Sequence, residues 1–204
     1  MLERTSDWIK ASFFVAAGLM AVFAILLATY AITGNSTALM ARNFFGPAGF
    51  VMAFIGTLAL KSNLHGRPSW LSRAATGLTA LGIVGGTVVA VMTLANLTGI
   101  IDSRPSWVEG LSALIMFGMI GVALVGFIFL KADVATTTLG LLLLAPAVIF
   151  AVNFARGIIL GRWIPIWAPA LLASAQTIAI LAIGSRLPSD QPGSKQESPQ
   201  PATA

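Results

Sequence analysis

The chain has 204 residues, of which 57% are hydrophobic and 9% are charged, and it carries a net charge of +5. A folded soluble domain cannot hide that much apolar surface, so the composition predicts a protein whose solvent is lipid. The basic residues lie at the ends of apolar runs instead of clustering on one face, which argues against nucleic-acid binding. The absence of cysteine excludes disulfides, thiolate chemistry and iron–sulfur clusters.

Six apolar stretches are long enough to cross a bilayer. A hydrocarbon core of roughly 30 Å needs about 20 apolar residues in a helix. The sequence therefore predicts an all-α fold, a six-helix transmembrane bundle over residues 1–186. The polar tail at 187–204 is rich in Pro, Ser and Gln, and we expect it to be disordered. The predicted spans are residues 11–33, 44–60, 74–98, 108–130, 136–160 and 164–185.

The first predicted span carries a stripe of alanines at positions 17, 21, 24 and 28. Small side chains let membrane helices approach closely, although an alanine-rich span without a special partner explains the pattern equally well. In size, in helix count and in the pairs Ala17-xxx-Ala21 and Ala24-xxx-Ala28, the chain resembles the substrate-binding subunits of energy-coupling-factor vitamin transporters. That resemblance concerns architecture, and it implies binding of a small molecule for transport.

The third and fourth spans carry further small residues at helical spacing. Gly82, Gly86 and Ala90 recur every fourth position in the third span, and the fourth span contains Gly118, Gly121 and Gly126. We interpret these faces first as packing surfaces and only second as the wall of a ligand cleft.

The fifth and sixth spans contain the polar residues that most need a partner. Asn153 and Arg156 are three positions apart on the fifth span and share a face. Pro146 lies upstream of them, and because it cannot donate a backbone hydrogen bond we expect a kink there. Gln176 lies near the middle of the sixth span, and its amide should bond another helix because an unpaired amide in hydrocarbon is costly.

The distribution of lysine and arginine predicts the orientation. With the N-terminus in the cytoplasm, eight basic residues fall on the inner side and four on the outer side, so the positive-inside rule places both termini in the cytoplasm. The inner set is Arg4, Lys10, Lys61, Arg67, Arg73, Lys131, Arg186 and Lys195, and the outer set is Arg42, Arg104, Arg156 and Arg162.

The interiors of the six spans contain no Asp, Glu, His or Lys. Ionisable residues inside a membrane normally mark proton relays, ion paths or catalysis, so carboxylate-driven transport and the known intramembrane protease types are disfavoured. His65 lies in a predicted loop, and we interpret it as a solvated residue, with metal binding or pH sensing as the lesser alternative. Because it is the only histidine in the sequence, bis-histidine haem is excluded. We therefore expect no catalytic residue, no metal and no cofactor.

Two interpretations of the polar residues remain open. In one, a cavity open to the outer face binds a small polar or anionic molecule, with Arg156 as its charged anchor. In the other, Arg156 snorkels to the outer headgroups and the amides only link helices. The predicted cavity lining is Asn96, Asn153, Arg156 and Gln176, and the predicted rim is Asp102, Glu109 and Arg162.

These features favour two hypotheses for a multi-pass protein of the cell membrane. The first is a non-catalytic accessory or assembly component that packs against a partner membrane subunit or a second copy of itself, because the spans are uncharged and bear small-residue faces. The second is a small-molecule-binding component of a membrane transporter with an outward-facing polar cavity. A lipid-processing enzyme is disfavoured, because the acidic metal-binding motifs that such chemistry usually uses are absent from the sequence.

Overall fold

The computed structural model describes residues 7–62, 70–132, 134–159, 165 and 167–187, and every regular element in those ranges is an α-helix. The short fourth helix and the fifth together make one apolar span, so the described residues contain six stretches long and apolar enough to cross a membrane. The predicted all-α fold with six such helices is confirmed, and residues 188–204 of the predicted tail lie outside the described residues. The helices are α1 (Asp7–Thr33), α2 (Ser36–Ser62), α3 (Trp70–Leu97), α4 (Trp107–Leu111), α5 (Ala113–Ala132), α6 (Val134–Ile159) and α7 (Ala168–Arg186).

The spans are arranged as a ring in chain order. Each long helix packs on the next, α7 returns to pack on α1, and α2 contacts α5 across the middle. Phe13, Phe54 and Phe129 are fully buried in this core. The α6 span is only 22% buried, against 39–44% for the other five, so it is the helix with the largest share of its surface facing outward.

The connection between α1 and α2 is a tight turn. Gly34 adopts a positive φ of 68°, which side chains other than glycine rarely tolerate. The Oδ1 atom of Asn35 accepts hydrogen bonds from the backbone N–H groups of Thr37 (2.8 Å) and Ala38 (3.2 Å). Because of this capping, α2 begins at Ser36. The sequence predicted that the second span begins at residue 44, about two turns later.

Glycines allow α3 and α5 to pack backbone against backbone. A Cβ atom added to Gly82 would lie 2.5 Å from Gly118 Cα and 2.7 Å from Phe54 Cε2. One added to Gly121 would lie 2.6 Å from the backbone nitrogen of Thr79. The small residues that the sequence identified in these two spans therefore pack helix against helix.

Candidate functional site

A cavity of about 720 Å³ opens at the end of the bundle that carries the α1–α2 and α3–α4 connections. We call it the end cavity. Its apolar wall includes Phe23, Phe50, Phe150 and Phe154, which come from α1, α2 and α6. Its polar lining consists of Arg42, Asn43, Arg104, Glu109 and Ser112.

Arg42 reaches the end cavity from the first turns of α2. Its guanidinium carbon lies 5.7 Å from the centre of the Tyr30 ring of α1. A cation over an aromatic face is attracted to the π-system, so this contact helps to hold the guanidinium in place. The extra turns that Asn35 capping adds to α2 include Arg42, which places its backbone on a helix rather than in a loop.

Arg104 reaches the same cavity from the loop before α4. Its Nη1 donates to Thr93 Oγ1 of α3 at 3.4 Å, and its Nη2 lies 3.5 Å from Glu109 Oε1. The side chain of Arg104 is 23% exposed, whereas that of Glu109 is 75% exposed. Ion pairs with an exposed partner contribute little, so Glu109 only partly neutralises this guanidinium. Together with Arg42, the described lining of the cavity therefore contains two positive groups and one carboxylate.

Asn96 stabilises the loop that leads to Arg104. Its Nδ2 donates to the carbonyl oxygens of Ile101 and Asp102, both at 3.2 Å. Asp102 itself is exposed. In the structure Asn96 therefore closes the turn after α3, and through that turn it helps to position Arg104.

Gln176 links two helices in the core. It is 4% exposed, and its Nε2 donates to the carbonyl oxygen of Pro146 at 3.4 Å. It also lines a small void of about 10 Å³ among Phe54, Thr57 and Ile180. The contact is the interhelical amide bond that one of the two interpretations expected.

Asn153 and Arg156 are half-buried near the end of α6. Three of their polar atoms, Asn153 Oδ1 and Arg156 Nε and Nη1, are buried and have no hydrogen-bond partner among the described residues. Asn153 lies about two turns beyond Pro146 on α6. Arg162, the third predicted rim residue, lies outside the described residues.

The residues predicted from the sequence occupy several places. Glu109 lines the end cavity and Gln176 lines the core void, whereas Asn96, Asn153 and Arg156 line neither. A ligand-binding role for these residues stays a prediction. Sequence reasoning treated Arg42 and Arg104 only as orientation signals, although the predicted topology already placed both at one end of the bundle beside the aromatic start of the second span.

Two grooves run along the sides of the bundle. The first, of about 420 Å³, lies between α5 and α6; we call it the lateral groove, and its lining includes Met116, Ala123, Leu124, Ala147, Ala151 and Phe154. The second, of about 410 Å³, lies between α1 and α7; we call it the small-residue groove, and its lining includes Ala21, Ala24, Ala28, Ala170, Ser174 and Thr177. Both hydroxyls of the small-residue groove donate to carbonyls of their own helix.

Within the described ranges, no three His, Cys, Asp or Glu side chains come together in a way that could hold a metal ion. His65 lies outside those ranges. No known protein family, no curated protein and no solved structure matches this chain.

Proposed function

We propose that this protein is a small-molecule-binding component of the cell membrane, and that its end cavity binds an anion. One observation carries the proposal: Arg42 and Arg104 are both held by neighbours and both line one aromatic-walled cavity of about 720 Å³. Ligand cavities typically have volumes of about 300–1,000 Å³ and combine an apolar wall with a few placed polar groups. The end cavity fits that description.

The charge in the cavity favours an anionic ligand. Guanidinium groups bind carboxylate and phosphate oxygens through paired, charge-assisted hydrogen bonds. The one carboxylate in the described lining, Glu109, lies against Arg104 and is mostly exposed, so a ligand anion can replace it. Acid–base catalysis usually needs a histidine or a pair of carboxylates. Among the described residues of the lining, Glu109 is accompanied by neither, so binding is a simpler function for the cavity than turnover.

A thermal-stability measurement in detergent tests this proposal. We expect glycerol 3-phosphate, at ionic strength matched with chloride, to raise the melting temperature by several degrees, because a ligand that binds only the folded state stabilises it by mass action. Arg42→Gln and Arg104→Gln should each lose most of that gain. The matched control is Arg73→Gln, an exposed arginine at the opposite end of α3, which should keep it. An equal gain in all three variants would contradict an arginine-based site.

The orientation that we propose places both termini in the cytoplasm and the end cavity on the outer side. Its support is the excess of basic residues on the predicted inner side. In this orientation an anion would reach Arg42 and Arg104 from outside the cell or from the outer leaflet. Labelling of single introduced cysteines from outside intact cells checks it.

The small-residue groove favours a second candidate, an accessory component that packs against a helix of a partner membrane subunit or of a second copy. Because lipid tails are as apolar as leucine, membrane helices associate through close packing, and small side chains permit it. We expect such a partner to co-purify in mild detergent, and Ala28→Phe, which fills the groove, to release it. A chain that stays monomeric and alone under those conditions would count against this candidate.

A further inference from the structure

The end cavity and the lateral groove are neighbours that share part of their lining. Met116, Phe150 and Phe154 line both of them. The remaining residues of the lateral groove are all apolar, and they extend along α5 and α6 for several turns away from the arginines, as far as Leu124 and Leu144. The apolar groove therefore begins at the same three side chains that help to line the cavity of the two guanidiniums.

The lateral groove also faces outward. On its α6 side, Val148 is 58% exposed and Phe154 is 46% exposed, and α6 is the span with the smallest buried share. In a bilayer these side chains meet acyl chains, since helices of this length and apolarity cross the hydrocarbon region. The groove thus faces lipid along its length, and at its Phe154 end it adjoins the charged cavity.

Resting on the proposed function, we propose that the anion is the phosphate of an anionic phospholipid from the surrounding leaflet. Its phosphate binds Arg42 and Arg104 in the end cavity, and one of its acyl chains lies in the lateral groove between α5 and α6.

The depth of each part matches a lipid. Arg42 lies in the first turns of α2 and Arg104 lies in a loop, so both guanidiniums are at the level where headgroup phosphates lie. Phe150 and Phe154, one turn apart on α6, form the boundary between the polar and apolar parts. A water-soluble anion would use the arginines and leave the groove unused. A lipid uses both, and it enters sideways between α5 and α6.

Three probes separate the headgroup from the chain. Phosphatidylglycerol carries the phosphate and the chains, phosphatidylcholine has the same chains with a compensating positive charge, and glycerol 3-phosphate has the phosphate without chains. We expect phosphatidylglycerol to raise the melting temperature of the detergent-solubilised protein at concentrations at least tenfold below those at which either of the other two acts. Arg42→Gln should remove this preference for phosphatidylglycerol over phosphatidylcholine.

A pair of α6 variants tests the groove itself. Ala151 lines the lateral groove, and Ala155, one turn further along α6, is also exposed but lines neither the groove nor the end cavity. We expect Ala151→Phe to weaken phosphatidylglycerol binding at least tenfold while leaving the response to glycerol 3-phosphate unchanged. Ala155→Phe should leave both responses as they are.

The outcomes distinguish this inference from the proposed function. If glycerol 3-phosphate acts at the same concentration as phosphatidylglycerol and Ala151→Phe has no effect, the anion site stands and the lipid assignment is overturned. If oleate binds more tightly than phosphatidylglycerol, the occupant is a free fatty acid, and the phospholipid assignment is again overturned. If none of these anions stabilises the wild-type protein, the proposed anion binding is itself contradicted, and the lipid assignment is contradicted with it.

Discussion

Replacing Gly82 with leucine is expected to destabilise the bundle strongly. The new Cβ would lie 2.5 Å from Gly118 Cα, a backbone atom that cannot rotate away as a side chain would, so α3 and α5 would have to separate. Overpacking of this kind costs about 3 kcal/mol or more, which corresponds to a fall in melting temperature of about 10 °C for a chain of this size. Thermal unfolding in detergent, followed by fluorescence or light scattering, measures it.

The matched control lies on the same helix. Gly77 is exposed, and a Cβ atom added there meets nothing within 4 Å. We therefore expect Gly77→Leu to be neutral or slightly stabilising, since glycine is a poor helix former compared with leucine. Equal melting temperatures for the Gly82 and Gly77 variants would show that α3 and α5 do not meet backbone to backbone at Gly118.

An all-or-none result is expected from cysteine labelling of the two faces. The chain contains no cysteine, so a single introduced thiol reports one position without background. Ser103 is exposed in the loop between α3 and α4, on the side that we propose to be external. Ser103→Cys should react with a membrane-impermeant maleimide on intact cells, whereas Ser194→Cys, in the C-terminal tail, should react only after the membrane is permeabilised.

The reciprocal pattern would reverse the orientation without changing the fold. Labelling of Ser194→Cys on intact cells, with Ser103→Cys protected, would place the end cavity on the cytoplasmic side. The proposed phospholipid would then come from the inner leaflet, where anionic lipids give the membrane surface its negative potential. Labelling of both positions on intact cells would instead indicate an even number of crossings between Ser103 and Ser194, and it would contradict the six-span bundle, which has three there.

The number of spans could be predicted from the sequence because hydrocarbon imposes a length that apolar runs must match. The ends of those spans could not, since they depend on local hydrogen bonding. Asn35 caps α2 early, and a break at Ser112 divides the fourth span into α4 and α5. Neither the Asn35 cap nor the break at Ser112 changes the mean hydropathy of the surrounding stretch enough to be detected from the sequence.

The candidate site was harder to predict, because it depends on which helix faces meet. The sequence correctly indicated that Gln176 needs a partner on another helix, and the structure supplies the carbonyl of Pro146. It gave no sign that Thr93 and Glu109 flank Arg104, since those contacts cross from α3 through a loop to α4. Arginines near span ends usually set the orientation of a membrane protein. The sequence alone therefore does not distinguish the two arginines of the end cavity from arginines with that role.

In the membrane-spanning arrangement that we propose, the tight turn at Gly34 has a consequence for biogenesis. Because α1 and α2 are joined by so few residues and pack along each other, they can leave the ribosome-bound translocation channel as one preformed pair of antiparallel rods. Such a pair moves only a short connection across the lipid barrier, and the capping side chain of Asn35 already satisfies two of the amides exposed at the turn. The remaining four crossings can then assemble onto this pair as they emerge.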